Sequence, residues 1–218
     1  MKFTTVLFDL DGTLMDTNEL ICESWRHTVG TLTGGEISDD VIRDTLGEIL
    51  ADSMRRLMPD IAVEDALETY RVFQTARFLD RIELFPGVME TLGDLKAAGC
   101  KLAIATSRLR GSTERALNHL GIADFFDVTL TADDTPIGKP DPTPIFLTLK
   151  KIGSKPEESI FVGDTKHDIE AGRAAGVFTV LVDWSFALPK ERRVNNPSPE
   201  IRPDAVVETM QDILTLLK

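Results

Sequence analysis

The chain has 218 residues, 42% of them hydrophobic, which suffices for a sizeable core and fits one domain carrying an insertion. Its net charge of -12 argues against nucleic acid as a partner, because that binding rests on Lys and Arg neutralising phosphates. No apolar run is long enough to span a bilayer, and no signal-peptide core precedes a small-residue cleavage site. Cys22 and Cys100 lack metal-ligand spacing and read as free buried thiols of a reducing, cytoplasmic setting.

The first element is the apolar run Val6-Leu7-Phe8, a strand that ends in Asp9-Leu10-Asp11-Gly12-Thr13. Side chains two apart at a strand end project to the same side, so Asp9 and Asp11 converge on one small volume. Two carboxylates that close repel each other and call for a cation, a shared proton or a reacting group. Asp-x-Asp-Gly is also a common polar turn. A calcium loop fits poorly, because Gly12 is not the sixth residue from Asp9 and the twelfth is Leu20.

Helical patterns follow at about 16–30, 39–58 and 63–79, with no convincing strand between Leu14 and Phe85. Pro86-Gly87 ends this stretch, and a helix over 88–98 stops at Gly99. From there strands and helices alternate: strand 101–106, helix 112–120 with a serine cap, strand 126–130 and helix 142–152 begun by proline. Strand 159–162, helix 167–175, strand 178–182 and a closing amphipathic helix 204–217 complete the series. Such alternation predicts right-handed crossovers and an α/β fold, a doubly wound, Rossmann-like parallel sheet with an all-helical insertion. Residues 1–15 and 83–218 would form the core, and 16–82 the insertion. Ligands of such sheets bind beyond the carboxyl ends of the strands.

Three more motifs fall on that edge. Strand 101–106 ends in Thr106-Ser107, a hydroxyl able to donate to an anion, or simply to cap a turn. Gly138-Lys139-Pro140-Asp141-Pro142 sets Lys139 on a stiff loop, where an ammonium would hold a phosphate; a surface lysine beside a turn looks the same. Phe161-Val162-Gly163-Asp164 ends another strand in a carboxylate, with Asp168 four residues on, a position also suited to a first-turn helix acid. His167 is expected on the solvent side of its helix, and His27 and His119 have no ligand-like spacing.

Together, Asp9-x-Asp11-Gly12-Thr13, Thr106-Ser107, Gly138-Lys139-Pro140 and Gly163-Asp164-x-x-x-Asp168 resemble the haloacid dehalogenase superfamily. Leu84-Phe85-Pro86-Gly87-Val88 and the run from Asp168 to Gly176 resemble its phosphoglycolate-phosphatase-like branch. Asp16-Thr17-Asn18-Glu19-Leu20-Ile21 and Asp133-Asp134 are similar to the PpaX-type bacterial pyrophosphatases.

The resemblance implies a Mg2+-dependent phosphatase acting on a small phosphorylated metabolite or pyrophosphate, with the helical insertion as a cap. Asp9 would be the nucleophile and Asp11 the general acid and base. Mg2+ would sit on Asp9, Asp164 and the Asp11 carbonyl, with Asp168 acting through another group or water. Thr106, Lys139 and the amides of Leu10, Asp11 and Ser107 would cradle the transferring group. Asp11 argues against dehalogenation, which lacks this second aspartate. Ile21 stands where the mutase branch carries a His, and the absence of lysine between Lys2 and Lys96 removes a Schiff-base nucleophile. A narrow phosphoglycolate phosphatase and a catalytically silent module of the same fold remain as alternatives. The cap's cations are arginines, and Arg55 or Arg56 with Arg108 is expected to grip a distal anion. The cap is expected to close by hinging near Asp16 and Leu84.

Overall fold

A single parallel sheet organises the chain. In the computed structural model, which describes residues 2–191 and 202–217, six strands lie in this sheet: β1 (Thr5–Phe8), β4 (Lys101–Ala105), β5 (Val128–Leu130), β6 (Ser159–Gly163), β7 (Phe178–Val182) and β8 (Ala205–Val207). Their spatial order is β5-β4-β1-β6-β7-β8, all parallel. The chain departs from β1 to β4 on one side and returns to β6 on the other, so the strand order reverses at β1. A crevice opens at such a point, beyond the carboxyl ends.

The central strands are near-continuous apolar runs because both of their faces are covered. Val6, Phe8, Leu102, Ile104, Ile160 and Val162 face one core cluster, which includes Leu92 and Leu95 of α6 (Val88–Ala97). The alternate residues Leu7, Ala103, Ala105 and Phe161 face the other, with Ile145 and Leu149 of α8 (Thr143–Ile152) and Ala171 of α9 (Lys166–Ala175). This two-residue alternation across one sheet makes the core doubly wound.

Between β1 and α6 the chain forms α1 (Asn18–Thr33), α2 (Asp39–Arg43), α3 (Leu50–Leu57), α4 (Val63–Thr75) and α5 (Phe78–Arg81). Helices α1 to α4 share an apolar cluster that includes Trp25, Ile42, Met54 and Tyr70, with Trp25 edge-on to Tyr70 at 5.7 Å, while Phe78 of α5 packs into the cluster of the sheet. No helix among the described residues is long and apolar enough to cross a membrane.

Four expectations differ from the structure. A ribbon of two residues per strand, β2 (Met15–Asp16) with β3 (Glu83–Leu84), joins the helical segment to the sheet; strands this short display no alternation to read. The helical pattern over 39–58 breaks between Arg43 and Leu50, where Gly47 adopts φ +84°. A Cβ on Gly47 would meet His167 Nδ1 at 2.8 Å and Thr165 Oγ1 at 2.9 Å, so this loop lies directly on the N-terminus of α9.

Helix α7 (Arg110–His119) starts before Ser112, whose hydroxyl instead donates to Leu109 O at 3.0 Å; the Arg110 amide is capped from a distance by Asp133 Oδ2 at 2.6 Å. The helix expected over 204–217 is strand β8 followed by α10 (Asp212–Leu216). Asp204 takes hydrogen bonds from the Thr179 amide and hydroxyl, which pins the segment to the sheet edge, and Asp212 accepts from the amides of Glu208 and Thr209 to start the helix anew.

Asp134 ties the loop after β5 to two helices. It accepts from Thr131 N at 2.8 Å and Oγ1 at 3.0 Å, and pairs with Arg110 at 2.6 Å and Lys151 at 3.1 Å. Burial raises its carboxyl, but the Thr131 bonds and Lys151 outweigh burial and hold it at about 2. A depressed carboxyl contributes stability above its unfolded pKa of about 3.9, and that contribution is lost as pH falls toward the folded value. Asp134→Ala is expected to cost about 1 kcal/mol through the lost cap, a Tm drop of about 2–4 °C at pH 7 by calorimetry. The deficit should shrink toward pH 2.

Candidate active site

Strand β1 delivers Asp9 to the crevice, where its amide bonds Val162 O at 2.9 Å and its carboxylate is buried. Lys139 Nζ donates to Asp9 Oδ1 at 2.7 Å, to Asp168 Oδ1 at 2.6 Å and to Ala105 O at 3.1 Å. All three ammonium protons are therefore used inside the protein. The sequence suggested that Lys139 holds a phosphate and neutralises charge between it and the carboxylates; in the structure it bridges the loop 138–142 to Asp9 at the end of β1, to Ala105 of β4 and to Asp168. Burial works against its charge, but Asp168 and Asp9 outweigh that and hold the ammonium above its ordinary range.

Asp168 is fully committed as well. Its Oδ2 closes a capping box with the Thr165 amide at 3.0 Å and hydroxyl at 2.7 Å at the start of α9. Burial raises its carboxyl, but Lys139 and Thr165 outweigh it and the net shift is downward. Asp9 goes the other way: burial first, reinforced by Asp168 and opposed by Lys139, pushes it up to about 7. His167, expected at the solvent side, is buried beneath Gly47, because the insertion loop covers that turn of α9.

Asp164 leaves β6 beside Gly12, whose missing Cβ makes room for the Asp164 carboxylate. Ser185 Oγ donates to its carbonyl at 2.5 Å, yet Asp164 Oδ1 is buried with no hydrogen-bond partner among the described residues. Burial first, then the charges of Asp168 and Asp9, push its carboxyl well above the usual range. Oxygens of Asp9, Asp164 and Asp168 lie within 4.8 Å of one another. Ionised together, the three buried carboxylates would exceed the one ammonium by two negative charges, which is why burial and mutual repulsion hold protons on Asp9 and Asp164 in the absence of a cation. An orphaned carboxylate oxygen and an oxygen-only donor set suit a hard divalent cation with few protein ligands, such as Mg2+. Asp9 and Asp164 have oxygens to offer it; both oxygens of Asp168 are engaged by the protein.

Asp11 sits at the mouth. Its Oδ1 accepts from Arg108 Nη1 at 2.7 Å and from Thr17 Oγ1 at 2.9 Å, while Oδ2 has no side-chain donor among the described residues. Arg108 itself lies over the Phe78 ring at 4.2 Å, so a core cation is stacked on the helical segment. Thr106 is buried, and its hydroxyl accepts the Arg108 amide at 3.2 Å. The amides of Leu10, Asp11 and Ser107 bond no backbone carbonyl among the described residues and are available to an anion.

These groups open into a cavity of about 1080 Å³ between the sheet edge and the helices. Asn18, Ile21 and Trp25 from α1 and Tyr70, Arg71 and Gln74 from α4 line it. Arg55 and Arg56 do not: Arg55 is bound to Asp52 at 2.7 Å, and Arg56 to Glu48, which lines the cavity, at 2.6 Å. Their pairing with nearby carboxylates is invisible to a count of arginines. Sequence reasoning also missed Thr17, Thr165 and Phe78. The Thr165-x-x-Asp168 capping pattern was available as a signal; for Phe78, a core-like hydrophobe by periodicity, there was none.

Residues 6–182 match the family of haloacid dehalogenase-like hydrolases. The pyrophosphatase PpaX of Halalkalibacterium halodurans is 39% identical over 217 residues, covering 100% of this chain and 98% of that protein. That of Bacillus pumilus is 38% identical, covering 98% and 95%. Among solved structures, a haloacid dehalogenase-like family hydrolase from Streptococcus pneumoniae superposes with a TM-score of 0.85 at 25% identity, covering 100% and 99%. A predicted phosphoglycolate phosphatase from Haemophilus somnus gives 0.82 at 25% identity with the same coverage. Matched by the family over residues 6–182 and 39% identical to a relative that covers its whole length, the chain belongs to the haloacid dehalogenase-like hydrolase family.

Proposed function

We propose that this hydrolase is a Mg2+-dependent phosphatase that cleaves a small phosphorylated metabolite or pyrophosphate through an aspartyl-phosphate on Asp9. The observation that carries the reading is the surplus of buried negative charge around Asp9, Asp164 and Asp168, set beside three available amides. Bound Mg2+ would supply charge neutralisation for the transferring phosphoryl group. Lys139 holds Asp9 Oδ1, which fixes the attacking carboxylate at the end of β1. That carboxylate attacks phosphorus, the bond from phosphorus to the leaving oxygen breaks, and Asp11 gives that oxygen a proton. Water then loses a proton to Asp11 and attacks the acyl phosphate, releasing inorganic phosphate and restoring Asp9. The Leu10, Asp11 and Ser107 amides receive the equatorial oxygens. Thr17 and Arg108 orient Asp11 by its Oδ1, leaving Oδ2 for the proton.

Residues 16–82 act in this reading as a cap on the core formed by 1–15 and 83–218. Thr17 and Phe78 couple the cap to the catalytic acid directly or through Arg108. A narrow phosphoglycolate phosphatase is the second reading, supported by the name of the Haemophilus somnus neighbour. Phosphate release with Mg2+ from pyrophosphate, phosphoglycolate, sugar phosphates and nucleotides tests both, and no release from any of them overturns both. Asp164→Asn is expected to weaken Mg2+ binding at least ~10-fold, read by titration calorimetry, because it removes a charged oxygen donor. Unchanged Mg2+ affinity would remove Asp164 from the metal site.

A further inference from the structure

Substrate selection calls for a cation that faces the cavity and is not already spent on the protein. The helical segment carries seven arginines. Arg26, Arg43, Arg55, Arg56 and Arg81 are each paired with a carboxylate, and Arg77 lies 3.8 Å over the Phe73 ring and donates to the Phe73 carbonyl. Arg71 alone has neither hydrogen bond nor ion pair among the described residues, although Glu68 stands one turn away on the same helix. It is also the one arginine of the seven that lines the cavity.

Its surroundings fit a binding role. Tyr70, Arg71 and Gln74 present one face of α4 to the cavity, and Asn18, Ile21 and Trp25 present one face of α1, each at helical spacing. Gln74 donates to the Tyr70 hydroxyl at 3.2 Å and Tyr70 packs on Trp25, so the wall that carries Arg71 is braced from within the helical core. On the core side, Arg115 of α7 also lines the cavity and is likewise without a partner among the described residues. Elsewhere on the lining the carboxylates of Asp11, Glu48 and Glu114 are paired with Arg108, Arg56 and Arg110, and Asp133 caps α7, whereas Arg71 and Arg115 keep their charge for the cavity.

We propose that Arg71 is a specificity-determining residue, which selects phosphates whose leaving group carries a second anion, either a phosphoryl or a carboxylate group. The inference rests on the phosphatase reading above and deepens it. A guanidinium binds either anion with two parallel hydrogen bonds, and a leaving group with no charge leaves it unsatisfied.

The test compares wild type with Arg71→Ala and Arg71→Lys on pyrophosphate, phosphoglycolate and p-nitrophenyl phosphate, all with Mg2+. Removing a charge-assisted bidentate interaction should lower kcat/KM for one or both two-anion substrates about 10–100-fold further than for p-nitrophenyl phosphate. The loss should sit mostly in KM, with partial recovery in Arg71→Lys. Loss confined to pyrophosphate assigns a phosphoryl anion, and loss confined to phosphoglycolate a carboxylate. An equal proportional fall on all three, or no fall on either two-anion substrate, overturns the role of Arg71. Should wild type release no phosphate, the phosphatase reading fails on its own. Calorimetric binding of methylenediphosphonate with Mg2+ then decides Arg71: at least ~10-fold weaker binding in Arg71→Ala supports it, and equal binding, or none to wild type, overturns it.

Discussion

Lys139→Met is expected to destabilise the protein by about 3–5 kcal/mol and to abolish turnover. Lys139 is 6% exposed and supplies the one ammonium among the buried carboxylates of Asp9, Asp164 and Asp168. A methionine of similar length fills the volume but leaves Asp9 Oδ1, Asp168 Oδ1 and the Ala105 carbonyl without their donor. The charges then face each other in a poorly solvated site, which is costlier than never having buried them. Urea unfolding measures the loss. Adding Asp168→Asn to Lys139→Met should recover part of it, because one unpaired charge is gone, and a double-mutant cycle gives the coupling. A Lys139→Met protein as stable as wild type would show that this bridge does not hold the site together.

Asp9→Asn is expected to separate activity from stability. Loss of the proposed nucleophile should lower kcat by at least ~10^4-fold, on the scale of other covalent catalysts stripped of theirs. The fold should tolerate it, and the pH dependence shows why. The Asp9 carboxyl is raised to about 7 in the native state, against an unfolded value of about 3.9. Between these values the native chain binds a proton that the unfolded chain has released, so metal-free stability falls as pH rises through that window. Asp164, also raised, acts in the same direction.

Asp168, shifted downward, and Lys139, shifted upward, contribute stability that is constant through that window. Metal-free wild type should therefore melt lower at pH 8 than at pH 5, and Asp9→Asn should flatten the slope. Mg2+ should raise the wild-type Tm more at pH 8 than at pH 5, because the carboxylate must lose its proton to bind the ion. Differential scanning calorimetry at the two pH values checks all three statements, and an Asp9→Asn slope equal to wild type would contradict the assignment.

Much of the sheet was legible because its signal is local. Val6-Leu7-Phe8, Leu102–Ala105 and Ile160–Val162 are apolar without interruption, the mark of strands covered on both faces. Each is followed within two residues by a polar one, which is enough to put Asp9, Thr106 and Asp164 on one edge. The missed strands share a cause. The β2–β3 ribbon and β8 are two or three residues long, too short for a period, and their conformation comes from a partner strand or from the Asp204 bonds to Thr179.

The site divides along the same line. By itself the sequence determined that Asp9, Thr106 and Asp164 share the carboxyl edge of a parallel sheet, since strand ends and turn residues are encoded within a few positions of each other. Only the tertiary structure decided how those groups are spent. It turned Lys139 inward onto Asp9 and Asp168, engaged both oxygens of Asp168, and left Asp164 Oδ1 without a donor among the described residues. It also sent Arg55 and Arg56 to neighbouring carboxylates while leaving Arg71 facing the cavity. Pairing of charges depends on distances between segments remote in the chain, and those distances exist only once the helices have packed against the sheet.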